Sequence, residues 1–182
     1  MRIFTNDPSF TAWGWAVVEG NKIIACGCIK TESEHKKRRI RKGDDTTRRI
    51  TEINLQLLKI MKTHKVDFLL AELPHGSQNA SAAQMIGAVV GILCSMSVCL
   101  DIGIEWFSEM DAKKNLFNKK SATKQETIDA IDALYDVPWF NTKYKDEAVA
   151  DALAIHAVAL TQCSYLRGGG RNAVNLRRTR LS

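Results

Sequence analysis

The sequence predicts an α/β fold in which a mixed five-stranded sheet is flanked by helices. Three features indicate this: alternating, aromatic-rich segments near the N-terminus, two later short apolar runs bounded by breakers, and helical periodicity between and after them. With 182 residues, 45% of them hydrophobic, the chain suffices for one well-filled core and is short for two. We therefore predict a single domain over residues 1–165, followed by a flexible arginine-rich tail over residues 166–182.

The first three strands are predicted to form an antiparallel meander. Their apolar and alternating patterns, joined by the tight turn Gly20-Asn21, cover residues 2–7, 13–19 and 22–30. A basic segment follows as a predicted loop. Asp44 and Asp45 then precede a helix over residues 46–64, in which apolar side chains recur at helical spacing.

The second half alternates strands and helices before ending in helices alone. A short apolar strand ends at Glu72, and a polar loop leads into a long apolar helix over residues 80–100. Residues 103–107 predict the fifth strand, after which Ser108 can cap a helix. Two further helices are predicted over residues 123–134 and 145–163, and Gly168-Gly169-Gly170 would end the fold.

Three acidic residues lie where separate elements could present them together. Asp7 ends the first strand before Pro8, and Glu72 ends the fourth before Pro74. Because reacting groups collect beyond the carboxyl ends of parallel strands, both acids point to one site. Asp151 lies in the last helix. For Asp7 or Glu72 alone, a solvated turn acid is an equally good interpretation.

Three separated carboxylates match the needs of a metal-dependent phosphodiesterase. Two divalent ions about 3.5 to 4 Å apart activate water and stabilise the leaving oxygen. Mg²⁺ takes one or two carboxylates and completes its shell with water and phosphate. On a helical wheel Glu147 lies about 40° from Asp151 and Asp146 about 140° away, which makes Glu147 the better partner for Asp151. Alternatively, Glu147 simply complements the helix dipole.

Positive charge is concentrated in two segments. The net charge is +6, and the tail carries Arg171, Arg177 and Arg178 among its five arginines with no acid. A second cluster holds six cations: Lys36, Lys37, Arg38, Arg39, Arg41 and Lys42. A polyanion such as DNA is the indicated partner, the alternative being a solvated loop and a disordered tail.

The helix over residues 80–100 is almost free of charge and contains the pattern Gly87-Ala-Val-Val-Gly91. Its length would allow a membrane span, but no Lys or Arg lies between Lys65 and Lys113 to flank one. We therefore expect one face on the sheet and the other on a second subunit. The five cysteines form no CxxC pair, and no secretory signal is recognisable, so a cytoplasmic location is expected, in a bacterium or a phage-infected host.

An ordered series of motifs resembles the RuvC family of Holliday-junction resolvases. The series consists of Asp7-Pro8-Ser9 with Gly14, Glu72 followed by Asn79-Ala-Ser-Ala-Ala-Gln-Met-Ile-Gly87, then Lys113, Ser121-Ala-Thr-Lys124 and Ala150-Asp151-Ala-Leu-Ala-Ile155. The resemblance implies an RNase H-like sheet of three antiparallel strands and then two parallel ones. It also implies a homodimer formed through the apolar helix, two magnesium or manganese ions and paired nicking of four-way DNA.

In this resemblance Asp7, Glu72 and Asp151 correspond to the family's metal carboxylates. Lys113 and Lys124 correspond to its two phosphate-facing lysines.

The chain departs from the pattern at several points. Ala148 stands where an Asp or His is usual, which leaves Glu147 as the substitute ligand. His75 stands where an aromatic residue often stacks on a junction base, and as a smaller ring it could also be a plain turn residue. The lack of the usual glycine after Pro8 suggests a phage or mobile-element branch.

The sequence supports three functions. The first is a structure-selective, Mg²⁺-dependent DNA endonuclease that resolves four-way junctions by paired nicks. The second is a branched-DNA-binding protein of the same fold with weak or no catalysis, which the alanine at position 148 would favour. The third is an RNase H-like nuclease that cuts other branched DNA or hybrids, which would not need the apolar helix as an interface.

Overall fold

The computed structural model describes residues 1–119 and 121–167, and its centre is a five-stranded sheet. The strands are β1 (Arg2–Asp7), β2 (Ala12–Glu19), β3 (Lys22–Lys30), β4 (Phe68–Glu72) and β5 (Gly103–Phe107), in the order β3-β2-β1-β4-β5. The first three strands pair antiparallel, whereas β4 runs parallel to both β1 and β5. The predicted mixed sheet is confirmed.

Seven helices in the described residues surround the sheet. They are α1 (His35–Arg38), α2 (Lys42–His64), α3 (Ala80–Leu100), α4 (Glu109–Phe117), α5 (Lys124–Asp132), α6 (Lys143–Gln162) and α7 (Ser164–Arg167). Ser108 and Thr123 close capping boxes with Asp111 and Glu126, and so fix where α4 and α5 begin. The cap predicted at Ser108 is therefore present.

The sheet separates two hydrophobic cores. On one face α6 packs across β1 and β2, with side chains such as Val149 and Leu153 fully buried. On the other face α2 and α3 bury Leu57 and Leu93 against Trp13 and neighbouring strand residues. Because α6 is sealed between the sheet and the helices α4 and α5, its position is fixed along most of its length.

The basic segment after β3 is not the simple loop that the sequence predicted. Residues His35–Arg38 form the short helix α1, and α2 begins at Lys42, four residues earlier than expected. Asp45 thus lies inside the first turn of α2, where its buried carboxylate accepts hydrogen bonds from Ser33 and from the backbone of Glu34. Arg48 pairs with the same carboxylate at 2.9 Å. This buried network folds the segment back onto α2.

The last described helix continues past the predicted domain boundary at residue 165. The Tyr165 ring stacks on Phe68, with ring centroids 4.4 Å apart, and Leu166 packs against the same core. The tail residues Arg171, Arg177 and Arg178 lie outside the described residues.

Helix α3 buries one face and exposes the other in the single chain. Val89 and Leu93 are buried, whereas Gly87, Gly91 and Val98 lie on an exposed side on which Val98 is 79% accessible. By length and composition α3 is the one helix of the described residues that could cross a membrane, and 22% of its most apolar window is buried. The predicted burial of one face of α3 on the sheet is therefore present.

Candidate metal-dependent nuclease site

Asp7 and Glu72 lie side by side at the ends of two parallel strands. Asn6 of β1 is in register with Ala71 of β4, so the next residue on each strand is an acid. The amide of buried Asn6 donates to the carbonyl of Leu70 at 3.2 Å and accepts a hydrogen bond from the Trp13 indole at 3.1 Å. These bonds tie β1 to both of its neighbours directly before the site.

Helix α6 brings Asp151 to the same end of the sheet. The hydroxyl of Thr5 donates to the carbonyl of Ala152 at 2.5 Å, which ties α6 to β1 beside Asp151. One turn earlier on α6, the backbone of Ala148 packs directly against Gly14 of β2. A Cβ at position 14 would stand 1.9 Å from the Ala148 carbonyl oxygen. Glycine at this position is therefore a condition for the close approach of α6.

The three acids line one cleft that encloses about 140 Å³. Its charged lining residues are Asp7, Glu72, Glu109, Lys113, Lys124 and Asp151. Apolar residues of α4 and α6, such as Leu116 and Ala154, complete the walls. The structure thus brings together the three predicted carboxylates and both predicted lysines.

Burial and mutual repulsion perturb the acids. Burial, followed by the charge of Asp151, raises the pKa of Asp7 to about 7. The pKa of Glu72 rises to about 8, because its carboxyl is buried and faces Asp7 and Asp151. Burial also raises the pKa of Asp151, although Lys124 opposes the shift. A cluster of carboxyls that resist ionisation near neutral pH is characteristic of a functional site.

Each of the two lysines is paired with a carboxylate. The Lys124 ammonium donates to Asp151. Burial lowers the pKa of Lys124, but the contact with Asp151 and the charges of Asp7 and Glu72 together raise it above its usual value. The Lys113 ammonium donates to Glu109, four residues earlier on α4. The Glu109 carboxylate also reaches the loop after β4, where the Nε2 atom of His75 lies 3.4 Å from it. Both cations are therefore held at the cleft.

The donor set fits a hard divalent cation that keeps part of its own solvent shell. The three carboxyls offer oxygen ligands only, and their repulsion would be relieved by a bound cation. Within residues 1–119 and 121–167, no group of three or more His, Cys, Asp or Glu side chains stands close enough together to hold a metal ion by itself. An ion bound among the three carboxyls would therefore take its further ligands from water and substrate phosphate.

Glu147 does not line the cleft. It lies in an adjoining depression together with Asp146 and Trp139, although its charge contributes to the raised pKa of Asp151. Ala148, which stands at the family's usual ligand position, is buried and has no side chain that could bind an ion. The structure thus places Glu147 near one acid of the cleft rather than among all three.

The predicted DNA-binding residues lie at different distances from the chemistry. His75 touches a wall of the cleft through Glu109, as described above. The basic cluster at residues 36–42 is exposed, and none of its described residues lines the cleft. Within this cluster Arg38 pairs with Glu34 and Arg41 with Asp44. The tail residues Arg171, Arg177 and Arg178 are not among the described residues.

Glu109 is the charged cleft residue that the sequence interpretation missed. It lies two residues beyond the end of β5, at the same edge of the sheet where Asp7 ends β1 and Glu72 ends β4. The rule that acids at neighbouring strand ends converge therefore could have identified it. The roles of Thr5 and Asn6 had no comparable signal, because a strand pattern does not reveal which buried polar groups cross-link the elements.

Comparisons with known proteins agree on one family. The family model described as "Crossover junction endodeoxyribonuclease RuvC" matches residues 3–161. Curated relatives with that name include one from Chlorobium phaeobacteroides, 26% identical over 92% of this chain and 82% of its own length. Another, from Geotalea uraniireducens, is 26% identical over 92% of both chains. The T. thermophilus RuvC solved in complex with a Holliday junction substrate has a TM-score of 0.69 at 18% identity and covers 93% of this chain and 97% of its own, which demonstrates a shared fold.

Proposed function

The chain belongs to the crossover junction endodeoxyribonuclease RuvC family, and on that premise we propose that it resolves four-way DNA junctions by paired, metal-dependent hydrolytic nicks. The observation that carries this proposal is the single cleft in which Asp7, Glu72 and Asp151 meet Lys113 and Lys124. Carboxylates bind the metal that phosphodiester hydrolysis needs, and lysines offset the charge of the phosphate.

Asp7, Glu72 and Asp151 would hold Mg²⁺, or Mn²⁺ in its place. When bound, the metal would activate water and stabilise the departing oxygen. Glu147 would contribute from the edge of the site, one helical turn before Asp151. Because the buried carboxyls repel one another, the same geometry that raises their pKa values makes a divalent cation a favourable partner.

Lys113 and Lys124 would face the scissile phosphate and its neighbours. Lys124 lies against Asp151, so a phosphate that enters the cleft would meet an ammonium beside the proposed metal ligands. Lys113 stands on the α4 wall of the same cleft. Two cations on two walls would orient a phosphodiester between them, and orientation of this kind accounts for a large part of enzymatic acceleration.

A homodimer would form through the exposed face of α3. Gly87 and Gly91 lie one turn apart on this face, and a Cβ at either position would meet nothing within 4 Å in the single chain. A small-residue pair next to exposed Val98 offers a partner helix a close approach and apolar contact. Two-fold symmetry would give the dimer two clefts, as paired nicks require.

Branched DNA would contact the protein outside the cleft through three further groups. His75, in the loop after β4, would stack on a base at the junction. The exposed cations of residues 36–42 and the tail arginines Arg171, Arg177 and Arg178 would bind phosphates without reading sequence. This part of the affinity would fall steeply with added salt.

The deciding experiment incubates the full chain with labelled four-way, Y-shaped and linear DNA in Mg²⁺ or Mn²⁺, beside Asp7→Asn. We expect paired, symmetric nicks on the four-way DNA alone, and their loss in the variant. Equal cutting of all three substrates would instead favour a nuclease for other branched DNA. Tight junction binding without cleavage in either metal would favour the second candidate function.

That second candidate is a branched-DNA-binding protein with weak or no catalysis. One observation favours it: buried Ala148 occupies a position where the family usually carries a metal ligand. Against it, the remaining acids keep strongly perturbed pKa values in a shared cleft, an arrangement that costs stability and has no structural benefit.

A further inference from the structure

Glu109 joins two segments that each carry a proposed substrate-facing residue. It is the first residue of α4, and its Oε1 atom accepts a hydrogen bond from the Lys113 ammonium on the next turn. Its Oε2 atom lies 3.4 Å from Nε2 of His75, in the loop after β4. One carboxylate thus contacts α4 on one oxygen and the neighbouring loop on the other.

Helix capping does not account for Glu109. The capping box of α4 is formed by Ser108 and Asp111, whose carboxylate accepts from both the backbone and the hydroxyl of Ser108. An acid at the first helical position also complements the helix dipole, but that interaction needs no particular rotamer. The two specific contacts of Glu109 are thus additional to what the start of the helix requires.

The location of Glu109 gives these contacts a role in the site. Glu109 lines the cleft with Asp7, Glu72 and Asp151, and its side chain is 40% exposed. Its partner Lys113 is only 23% exposed, so the lysine lies against the wall rather than extending into solvent. An unpaired lysine has four rotatable bonds and loses considerable side-chain entropy when it is fixed. The carboxylate therefore restricts Lys113 before substrate arrives.

We propose that Glu109 is a positioning residue, which holds Lys113 and His75 at the mouth of the cleft through one carboxylate oxygen each. The proposal rests on the proposed function, because it assigns Glu109 to the arrangement of two substrate-facing groups. On this account Glu109 acts through Lys113 and His75 and is not a metal ligand. Its negative charge also gives Lys113 a partner that an incoming phosphate can replace.

The test is a double-mutant cycle on the full chain with four-way DNA under single-turnover conditions. The variants are Glu109→Gln, Lys113→Gln, the double variant, and Glu52→Gln as the control. Glu52 is a matched choice because its carboxylate also makes an i,i+4 pair, with Arg48 at 3.2 Å, has similar exposure and lies outside the cleft. Junction affinity is measured separately with Ca²⁺ in place of the catalytic metal, and metal affinity by Mn²⁺ titration without DNA.

Glu109→Gln is expected to lower the single-turnover rate about tenfold, since misplacing a catalytic group costs up to about a hundredfold. In the Lys113→Gln background the same change should alter the rate by less than about twofold, because coupled residues are non-additive. The Mn²⁺ midpoint should weaken far less in Glu109→Gln than in Asp7→Asn, because Glu109 acts on the cleft carboxyls only through its charge. His75→Ala with Glu109→Gln should bind the junction no more weakly than His75→Ala alone.

Three results would overturn the proposal. They are a rate like wild type in Glu109→Gln, effects of Glu109→Gln and Lys113→Gln that multiply fully, and a Mn²⁺ midpoint weakened as much as in Asp7→Asn, which would make Glu109 a metal ligand instead. A failure of the proposed function is distinguishable, because wild-type protein would then not cleave the junction at all. Circular dichroism and melting of each variant separate loss of fold from loss of positioning.

Discussion

Replacing Asp7 by Asn should abolish cleavage and at the same time make the metal-free protein more stable at alkaline pH. Burial and the charge of Asp151 raise the pKa of Asp7 from 3.8 to about 7 in the folded chain. The folded state therefore holds this proton more tightly than the unfolded state does. Stability that is present below pH 3.8 is lost as pH rises towards 7, and the Asn variant has no such loss.

The size of the effect follows from the shift. At 1.36 kcal/mol per pKa unit, a shift of roughly three units corresponds to at most about 4 kcal/mol. Because Asp7, Glu72 and Asp151 titrate as a coupled group and the site is open to water, we expect about half of this, or about 2 kcal/mol. For a chain of this size that is a rise in Tm of about 4–8 °C.

The assay is urea denaturation of the wild type and Asp7→Asn in EDTA at one protein concentration, at about pH 4 and about pH 8. The variant should have the larger free energy of unfolding at the higher pH, and the difference from the wild type should vanish near the lower pH. Added Mg²⁺ should stabilise the wild type and leave the variant unchanged. Exposed Asp136 provides the control, because Asp136→Asn should alter neither value. An Asp7→Asn variant that is less stable than the wild type at pH 8 would refute the electrostatic argument.

Three further changes test the packing, the interface and the ligand set. Gly14→Ala should destabilise the chain by about 3 kcal/mol in urea, since its Cβ would overlap the carbonyl of Ala148. Gly43→Ala is the control: it lies in α2 with open space around it, and should leave stability unchanged or raise it by up to about 1 kcal/mol. Gly91→Leu should convert the proposed dimer to a monomer in light scattering with unchanged circular dichroism, and a dimer of unchanged size would exclude this face. Glu147→Gln should weaken the Mn²⁺ midpoint, and an unchanged midpoint and rate would remove Glu147 from the site.

The sequence predicted the positions of Asp7 and Glu72 because strand ends are readable. An apolar run that stops before a proline defines both the strand and the residue that ends it. The parallel pairing of β1 and β4 then places the two acids side by side without further information. The fold class followed from the same patterns, since each strand and helix carries its own periodicity.

The position of Glu147 was harder to predict, because a helical wheel gives the direction in which a side chain points but not which turn of the helix lines the cleft. Glu147 has nearly the same direction as Asp151, yet the cleft is lined from α6 by Asp151 and Ala154, so its wall extends towards the C-terminal side of Asp151. Glu147 lies one turn in the other direction, in the adjoining depression. Which turn of α6 meets the strand ends is decided by the contact between Ala148 and Gly14, and no sequence pattern specifies that contact.

The acids of the site repel one another, so their arrangement must be held by other groups. Thr5 ties β1 to α6 through the carbonyl of Ala152, and Asn6 ties β1 to both neighbouring strands. These two residues are buried and uncharged, and they are the two residues that come before Asp7 in β1. The backbone geometry of the cleft therefore does not depend on the charge of any one carboxylate. Asp7→Asn should consequently remove a ligand while leaving the remaining site in place, so its lost activity and gained stability have the same electrostatic origin.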